Sequence, residues 1–550
     1  MPKYIFVTGG VVSSVGKGIT VAALGRILKS RQVSVSVQKL DPYLNVDPGT
    51  MSPYQHGEVF VTSDGAETDL DLGHYERFID EDLTKASSLT MGQVYNAVIQ
   101  KERRGDFLGG TIQAVPHLTA EIKDRIRGIG RITGAKAVII EVGGTVGDIE
   151  GQVFLEAIRQ MRREERPEDT LSIHVTYLPF IGATGELKTK PTQHSVQELR
   201  RMGIQPDVIL CRSDHPVTAE TRDKIALFCD VERRAVVAVP TVRSIYEVPA
   251  LLEDAGLGDY VVERMSLEAS PRDLADWRRL VDRMMHPQST IKVAVVGKYV
   301  ELQDAYLSVK ESLIHAGAFY DTQIEILWVH SESINDANVA AELRGVDAIV
   351  VPGGFGERGI EGKVQTARFA RENGVPYLGL CLGMQVMVVE AARTMLGTDA
   401  VNSTEFDPET PNPVISLLSE QQGIETKGGT MRLGSYPCRL VPGTAAQEAY
   451  GVDEIRERHR HRYEFNNAYR QQLDDFGLMA SGTSPDGSLV EVCEVREHPF
   501  MVGTQFHPEF RSRPDRPHPL FRALVQAARQ GSAVASKALS AVEAGVAGGS

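Results

Sequence analysis

The chain has 550 residues, a length typical of two to four domains that each bury a hydrophobic core. Its 73 acidic residues outnumber its 59 basic ones and give a net charge of −14, which argues against binding to nucleic acid through a basic surface. No apolar stretch reaches the roughly 18 residues that a membrane-spanning helix requires. Neither a nucleic acid nor a membrane is therefore expected as a partner.

The five cysteines are widely spaced and form no Cys-x-x-Cys pair, so the sequence predicts neither a disulfide framework nor a zinc site. This pattern favours a reducing, cytoplasmic location. The apolar residues at the N-terminus run directly into glycines, without a cleavage pattern of small residues. They predict a first strand rather than a signal peptide.

Short apolar runs alternate with helical patterns along most of the chain, as is typical of βαβ units around a parallel sheet. In the first half, strands are predicted at Tyr4–Thr8, Val33–Gln38, Ala137–Glu141, Ser172–Leu178 and Val208–Leu210. In the second half, they are predicted at Lys292–Gly297, Gln323–His330, Asp347–Pro352 and Pro376–Leu380. The sequence therefore predicts the α/β class, with two doubly wound domains.

A helix is predicted to join these domains. Ser270 is suited to be its N-cap, Pro271 to be its first residue, and His286-Pro287 ends the apolar pattern. The last residues are rich in Ala, Gly, Ser and Val, which predicts a disordered tail. The predicted organisation is a first domain at 1–268, a linker helix at 269–290, a second domain at 291–530 and the tail at 531–550.

A glycine-rich turn, Gly9 to Thr20, lies between the first predicted strand and a helical pattern. In such a turn, backbone N–H groups converge on phosphate oxygens, and Lys17 adds a positive charge. The spacing departs from the Walker A pattern because Gly10 stands one residue early and Gly18 replaces the usual Ser or Thr. The turn predicts a site for a nucleoside triphosphate, and an ordinary structural turn is the alternative.

Three carboxylates are candidates for holding a magnesium ion against this triphosphate. Asp69 and Asp71 lie two residues apart, and so on one face of an extended segment, whereas Glu141 ends a predicted strand. Magnesium prefers one or two carboxylates together with phosphate oxygens, which favours Asp71 with Glu141. For any one of these residues alone, a solvated surface charge is the alternative.

Two neighbouring lysines, Lys188 and Lys190, predict a second anion site in an otherwise acidic chain. They belong to the run Lys188 to Gln193, which is predicted to be a loop stiffened by Pro191. An exposed charged loop is the alternative.

The run Val375–Gln385 predicts a strand and a Gly-x-Cys-x-Gly turn with Cys381 at its centre, and a helix follows through Val386, Val389 and Ala392. This is the arrangement of a nucleophile elbow, in which the helix N-terminus favours the thiolate. Glu509 follows His507 by two residues, so on an extended chain it can orient the imidazole that takes the proton of Cys381. A Cys-His-Glu triad is predicted, with oxyanion donors from the glycine turn at 351–356.

Together these motifs resemble the CTP synthase family, in which an ATP-dependent amidoligase domain is fused to a class I glutamine amidotransferase domain. The resemblance covers about residues 1 to 530. Besides the cysteine turn, it rests on the runs Thr8–Ser14, Leu40–Met51, Asp64–Phe78 and Glu141–Glu150. It implies an N-terminal P-loop-type, Rossmann-like amidoligase domain and a C-terminal class I glutamine amidotransferase domain.

The resemblance also implies which residues bind each ligand. ATP would be bound by Ser14, Val15, Gly16, Lys17, Gly18, Ile19, Lys39 and Asp71, and magnesium by Asp71 and Glu141. UTP or the CTP product would be bound by Ser13, Asp148, Ile149, Glu150, Lys188, Thr189, Lys190, Pro191, Thr192, Gln193 and Lys224. Glutamine would be bound by Gly354, Leu382, Gly383, Met384, Gln385, Glu405 and Arg462, beside the triad of Cys381, His507 and Glu509.

The implied activity is the ATP-dependent amination of UTP to CTP, with ammonia released from L-glutamine. The route passes through UTP phosphorylated at its 4 position and a glutamyl thioester on the cysteine. The family implies Mg²⁺ as the cofactor of ATP, GTP as an allosteric activator, CTP as a feedback inhibitor, a homotetramer and an enclosed route for ammonia.

Two other functions remain open from the residues alone. One is a P-loop amidoligase that amidates a carboxylate during cofactor synthesis, but such a substrate does not need the clustered cations of the run Lys188 to Gln193. The other is a non-catalytic nucleotide switch that partitions DNA or positions partners. The complete triad and the lack of a basic binding face argue against the switch.

Overall fold

The computed structural model describes residues 2–418 and 428–531. The described chain forms two compact units. The first unit comprises residues up to Pro48 together with Asp71–Val281, and the second comprises Gly49–Leu70 together with the residues from Asp282 onward. The segment Gly49–Leu70 thus belongs to the second unit, which the sequence did not indicate. Of the predicted tail, residues 532–550 lie outside the described residues.

The first unit is built on a seven-stranded sheet in which all neighbouring strands are parallel. In spatial order its strands are Val236–Pro240, Val208–Ser213, Thr170–Tyr177, Lys3–Gly9, Ala137–Val142, Val35–Asp41 and Ser88–Thr90. A short hairpin pairs Phe180–Ile181 with Glu186–Leu187. The predicted parallel sheet is confirmed.

Helices cover both faces of this sheet, which is why its central strands Lys3–Gly9 and Ala137–Val142 are buried along almost their whole length. Tyr4 and Phe6 pack into a cluster on one face, and Ile139 approaches Gly25 on the other. The α-helices of the first unit are Lys17–Ser30, Asp71–Ile79, Met91–Arg103, Thr119–Thr133, Gln152–Glu164, Lys190–Arg201, Ala219–Cys229, Val248–Asp254 and Leu257–Arg264.

The second unit contains a nine-stranded mixed sheet. Its parallel part consists of Thr322–His330, Ser289–Gly297, Ala348–Val351, Tyr377–Leu380 and Met501–Thr504. The sheet continues in antiparallel pairing through Val490–Val495, Leu478–Thr483, Arg432–Leu440 and Glu454–His461. The sequence predicted the first four parallel strands and none of the antiparallel ones.

Alternate residues of strand Ser289–Gly297 pack into two separate clusters, with Ala294 and Val296 in one and Val293 and Val295 in the other. Both faces of the parallel part are therefore covered. The α-helices of the second unit are Pro53–His56, Leu307–Phe319, Val339–Glu342, Ile360–Asn373, Leu382–Leu396, Ala445–Tyr450, Arg470–Phe476 and residues 519–531. A small sheet adds Asn402–Ser403, Pro413–Leu417 and Tyr463–Phe465.

The segment Gly49–Leu70 carries the hairpin Phe60–Val61 with Glu67–Thr68. Arginines of the strand Glu454–His461 hold this hairpin: Arg458 donates to Val61 O at 3.0 Å, and Arg460 pairs with Glu67 at 2.8 Å. These contacts explain why the segment packs with the second unit although its neighbours in sequence belong to the first.

The predicted linker helix begins later than its N-cap signal indicated, at Ala275, and ends at Met285. Ser270 is not its cap, because the helix begins only at Ala275, and the Ser270 N–H donates to Arg31 O at 2.8 Å. Asp273 instead accepts from the N–H of Ala275. The division between the two units falls within this helix.

Among the described residues, no helix combines the length and the apolar character needed to cross a bilayer.

Candidate functional site

Cys381 lies at the carboxyl end of strand Tyr377–Leu380 and is the N-cap residue of helix Leu382–Leu396. Its backbone has φ 53° and ψ −101°, a conformation that residues other than glycine rarely adopt and that marks a strained turn. The Cys381 N–H donates to Thr504 O at 2.6 Å, which anchors the turn to the neighbouring strand. The thiol is therefore held beside a helix N-terminus.

His507 and Glu509 form the second part of this arrangement. His507 Nδ1 donates to Glu509 Oε1 at 2.7 Å, and both residues are buried. The pair arises from a turn, because strand Met501–Thr504 ends before it and Glu509 lies in the short helix Pro508–Arg511. The prediction that His507 and Glu509 lie on an extended chain is therefore wrong.

The pKa of His507 is strongly shifted. Burial alone would lower it, but the Glu509 carboxylate and the Cys381 thiol raise the pKa of His507 to about 10. An imidazolium at neutral pH is therefore expected between the thiol and the carboxylate.

The glycine turn follows strand Ala348–Val351 and packs against these side chains. A Cβ added to Gly353 would lie 2.9 Å from His507 Cε1 and 3.6 Å from Cys381 Cβ, so only glycine fits there. Within residues 2–418 and 428–531, the N–H groups of Gly353 and Gly354 donate to no protein acceptor. Two N–H groups thus remain available next to the thiol.

A cavity of about 400 Å³ in the second unit connects these groups. It is lined by Cys381, His507 and Glu509, by the turn Pro352 to Phe355, and by Gly49–Pro53 and Gly57–Val59 of the inserted segment. Arg460 also lines it, and its carbonyl oxygen accepts from the Cys381 thiol at 3.8 Å. The cavity is large enough for an amino acid and has a polar end at the thiol.

The residues that the resemblance assigns to glutamine are not all at this cavity. Gly354 lines it, and Glu405 accepts from the N–H of Gly356 at 2.8 Å. Arg462 instead donates to Thr430 Oγ1 at 2.8 Å, and the arginine that lines the cavity is Arg460. The other four lie in the buried first turn of the helix that follows the thiol, and they are Leu382, Gly383, Met384 and Gln385.

In the first unit, the glycine-rich turn joins strand Lys3–Gly9 to helix Lys17–Ser30, with Gly16 as its N-cap at φ 92°. Lys17 donates from Nζ to Gly144 O at 2.8 Å, and burial lowers the pKa of this lysine. Ser13 and Ser14 are exposed on the same turn. The turn presents a helix N-terminus and a lysine, which suit an anionic group.

Four charged side chains converge beside this turn at the carboxyl ends of the sheet strands. Lys39 pairs with Asp71, and Glu141 accepts from the Tyr75 hydroxyl. Burial and the nearby Asp71 charge raise the pKa of Glu141 to about 7, while the charges of Lys39 and His74 lower the pKa of Asp71 despite its burial. The two carboxylates and the lysines Lys17 and Lys39 therefore form one electrostatic cluster.

This oxygen-donor pair fits a magnesium ion, because two buried carboxylates that repel each other are stabilised by a divalent cation. In the described part of the chain, no group of three or more His, Cys, Asp or Glu side chains could hold a metal. The remaining ligands would have to be phosphate oxygens and water. Asp71 begins the helix Asp71–Ile79, so the prediction that it shares an extended face with Asp69 is wrong.

The unusual Gly18 of the turn has a direct explanation. A Cβ at Gly18 would overlap Asp71 Oδ1 and lie 2.7 Å from Asp71 Cγ. The Asp71 carboxylate thus occupies the space in which a Walker A Ser or Thr would stand.

We expect Gly18→Ser to displace Asp71 and to weaken the binding of a magnesium–nucleoside triphosphate at this turn at least about tenfold. Titration with the magnesium–nucleoside triphosphate measures this effect. Gly128→Ala is the matched control, because a Cβ there meets only the end of Arg131 at 3.9 Å. Equal affinities of Gly18→Ser and the unsubstituted protein would show that this carboxylate position does not matter.

The predicted anion loop at Lys188 to Gln193 is mostly helical, because helix Lys190–Arg201 begins at Lys190 with proline in its first turn. Lys188 pairs with Glu186, and Lys224 lies close enough to lower the pKa of that carboxylate further. Thr189, Thr192 and Gln193 are buried, whereas Lys190, Ile149 and Glu150 are exposed. Asp148 accepts from the N–H of Thr145.

A buried chain of hydrogen bonds beneath the phosphate turn was not predicted from the sequence. Thr8 Oγ1 and His174 Nδ1 lie 2.8 Å apart, and His174 Nε2 lies 2.8 Å from Ser195 Oγ. This chain links the strand before the turn to helix Lys190–Arg201. A histidine within the predicted buried strand Ser172–Leu178 was the available signal.

Two lysines were also missed in the second unit. Lys298 directly follows the buried strand Ser289–Gly297, and a charge at the carboxyl end of a parallel strand is a recognisable signal. Lys363, on helix Ile360–Asn373, is fully buried. Its burial had no signal in the sequence.

Comparison with known proteins identifies related families for both halves. The family described as CTP synthase N-terminus matches residues 3–267, and the family described as glutamine amidotransferase class-I matches residues 301–527.

Full-length relatives extend this likeness. A CTP synthase of Dehalococcoides mccartyi is 65% identical over 530 residues, which are 96% of this chain and 97% of the relative. A CTP synthase of Roseiflexus castenholzii is 65% identical over 531 residues, 96% of each chain, and one of Thermomicrobium roseum is 63% identical over 529 residues, also 96% of each. A solved Trypanosoma brucei CTPS glutaminase domain with bound acivicin is 36% identical, covers 44% of this chain and 94% of its own, and has a TM-score of 0.42.

Proposed function

The chain belongs to the CTP synthase family, and on that premise we propose that it converts UTP to CTP with ATP and with ammonia released from glutamine. The observation that carries the proposal is the presence of two complementary sites in one chain. One joins Cys381 to the His507–Glu509 pair, and the other joins the phosphate turn to a cluster of lysines and carboxylates.

We propose that Cys381, as the thiolate, attacks the side-chain carbonyl carbon of glutamine. The carbon–nitrogen bond breaks, the imidazolium of His507 gives its proton to the leaving ammonia, and a glutamyl thioester remains. Water then attacks the thioester while His507 takes its proton, so that glutamate leaves and the thiolate returns. The free N–H groups of Gly353 and Gly354 are suited to stabilise the oxyanion of both steps.

The role of Glu509 in this scheme is to keep His507 protonated. Glu509→Gln removes the charge that opposes burial, so we expect the pKa of His507 to fall and the alkaline limb of the pH profile for glutamine hydrolysis to move to lower pH by at least about one unit. In the unsubstituted protein the limb is expected near the pKa of about 10.

Rates of glutamate release between pH 6 and pH 11 measure this shift. Glu448→Gln, which changes an exposed carboxylate on helix Ala445–Tyr450, is the control and is expected to leave the limb in place. An unchanged limb in Glu509→Gln would contradict the assigned role.

In the first unit, we propose that the uracil O4 of UTP attacks the γ-phosphorus of ATP and that ADP leaves. Ammonia then adds to C4 and phosphate departs, which gives CTP. The residues suited to orient the ATP phosphates are Ser14, Val15, Gly16, Lys17, Gly18, Ile19 and Lys39. Asp71 and Glu141 would hold magnesium, which would neutralise charge on the phosphates during transfer.

The pyrimidine nucleotide is proposed to bind along the N-terminus of helix Lys190–Arg201. Its contacts would be Ser13, Lys188, Thr189, Lys190, Pro191, Thr192, Gln193 and Lys224, with Asp148, Ile149 and Glu150 reaching the CTP product. The high exposure of Ile149, 79% of its surface, agrees with a site that a second subunit completes. We also propose, from the family to which the chain belongs, that the protein is a homotetramer, that GTP activates it and that CTP inhibits it.

Glutamine is proposed to bind with Gly354, the first turn Leu382 to Gln385, Glu405 and Arg462, and the cavity lining adds Arg460 to this set. A cytoplasmic location is proposed because all five cysteines are free and Cys381 must stay reduced to react.

The direct test of the proposal is CTP formation from UTP and Mg-ATP with ammonium chloride in place of glutamine. CTP and ADP are expected in equal amounts. ATP turnover without CTP would instead support an amidoligase that acts on a carboxylate.

A further inference from the structure

Two buried lysines lie behind the glycine turn of the second unit. The side chain of Lys363, on helix Ile360–Asn373, is 0% exposed, and Lys298, after strand Ser289–Gly297, is 6% exposed. Removing an ammonium group from water is costly unless its contacts compensate. The chemistry proposed above uses neither lysine, so their burial calls for another role.

Their contacts are with the backbone of the turn. Lys363 donates from Nζ to Pro352 O at 3.4 Å, and Lys298 donates from Nζ to Phe355 O. Glu405 accepts from the next N–H, that of Gly356, at 2.8 Å. Both ends of the turn are thus held by buried charged side chains, while its two middle N–H groups have no protein acceptor among the described residues.

The geometry of a trans peptide gives these contacts a consequence. The C=O and N–H of one peptide unit point in opposite directions. Because Lys363 holds the Pro352 carbonyl on its own side, the N–H of Gly353 is directed to the opposite side. A Cβ added to Gly354 would lie 3.7 Å from Lys363 Nζ, so the ammonium group also lies close to the Gly354 backbone.

We propose that Lys363 is a positioning residue for glutamine hydrolysis. By holding the Pro352 carbonyl, it keeps the N–H of Gly353 directed at the carbonyl oxygen that becomes negative when Cys381 attacks. Lys298, through the Phe355 carbonyl, and Glu405, through the Gly356 N–H, hold the other end of the turn, which carries the N–H of Gly354. The inference rests on the proposed function, because it assigns a task within that same reaction.

The electrostatics agree with this arrangement. Burial and the charge of Lys298 lower the pKa of Lys363 to about 7, and the Cys381 thiol and the Glu405 carboxylate act in the opposite direction. The charged groups that face Lys363 are therefore the nucleophile and the two other residues that hold the turn. Below that pKa the Lys363 ammonium is charged, and a positive charge at this point favours an oxyanion above the turn.

Lys363→Met tests the proposal, because methionine has a similar length but neither a charge nor a donor. We expect the kcat of glutamine hydrolysis to fall about 10- to 100-fold, with the KM for glutamine within twofold. Ammonium-driven CTP formation and the final extent of Cys381 alkylation by excess iodoacetamide are expected to stay unchanged, because the first unit is intact and the thiol is still present. Lys310→Met, which changes a lysine that donates to Gln303 Oε1 at 3.3 Å, is the matched control and should alter none of these rates.

A kcat within twofold of the unsubstituted protein would overturn the inference, and so would a parallel loss of ammonium-driven activity or of alkylation. If Lys363→Met does not fold, Lys298→Met is the second variant, because it releases the other end of the turn. It is expected to lower the kcat of glutamine hydrolysis at least fivefold and to retain ammonium-driven activity. An unchanged kcat in this variant would again overturn the inference. Failure of the unsubstituted protein to hydrolyse glutamine would count against the proposed function itself.

Discussion

Cys381→Ala is expected to abolish glutamine-driven CTP formation, by about 10⁴-fold or more, and to leave ammonium-driven formation unchanged. The thiol is the only group in the proposed scheme that forms a covalent bond to glutamine, so its loss has no partial substitute. Ammonium supplies the nitrogen directly to the first unit and bypasses the thioester. CTP formation with each nitrogen donor, measured on one preparation, gives both rates.

Cys493→Ala is the matched control for this experiment. Cys493 lies in strand Val490–Val495 of the same unit, and burial raises its pKa to about 12, so it is an inert thiol. Both rates should survive its replacement. Persistent use of glutamine by Cys381→Ala would mean that another residue is the nucleophile.

Asp71→Asn is expected to lower CTP formation about 100-fold or more with either nitrogen donor, while glutamate release without nucleotides is retained. The carboxylate pairs with Lys39 and shares the cluster of Lys17 and Glu141, so its neutral analogue removes a ligand charge and frees a lysine. Glu141→Gln should have a comparable effect. Rates with ammonium at varied Mg-ATP measure both variants.

Asp254→Asn, an exposed partner of Arg278, is the control and should leave the rates unchanged. Activity of Asp71→Asn within fivefold of the unsubstituted protein would exclude a metal-holding role for this residue. A loss limited to the glutamine-driven reaction would instead relocate its role to the second unit.

The parallel strands could be predicted because their buried residues are continuous apolar runs, as in Val293–Val296. The antiparallel strands could not, because strands such as Glu454–His461 carry arginines and histidines at successive positions. Some of these charged side chains pair with residues far away in sequence, as Arg460 does with Glu67. The same distant pairing explains why no local pattern indicated that Gly49–Leu70 packs with the second unit.

The candidate site was predicted where one local signal determines the geometry. The Gly-x-Cys-x-Gly turn and the spacing of His507 and Glu509 are of this kind, although the pair is formed by a turn and not by an extended strand. Arg460 at the cavity and Lys363 beneath the glycine turn could not be predicted, because their positions depend on which side of a strand or helix the fold buries. The roles of the individual residues stay predictions until the variants are measured.

The most direct test of the central claim follows the nitrogen atom itself. The protein is supplied with UTP, Mg-ATP and glutamine labelled with ¹⁵N in its side-chain amide, and the CTP product is analysed by mass spectrometry. We expect CTP that carries the label in its 4-amino group, one ADP and one glutamate for each CTP, and no labelled CTP from Cys381→Ala. Release of labelled ammonia and ADP without any CTP would contradict the proposed synthesis of CTP.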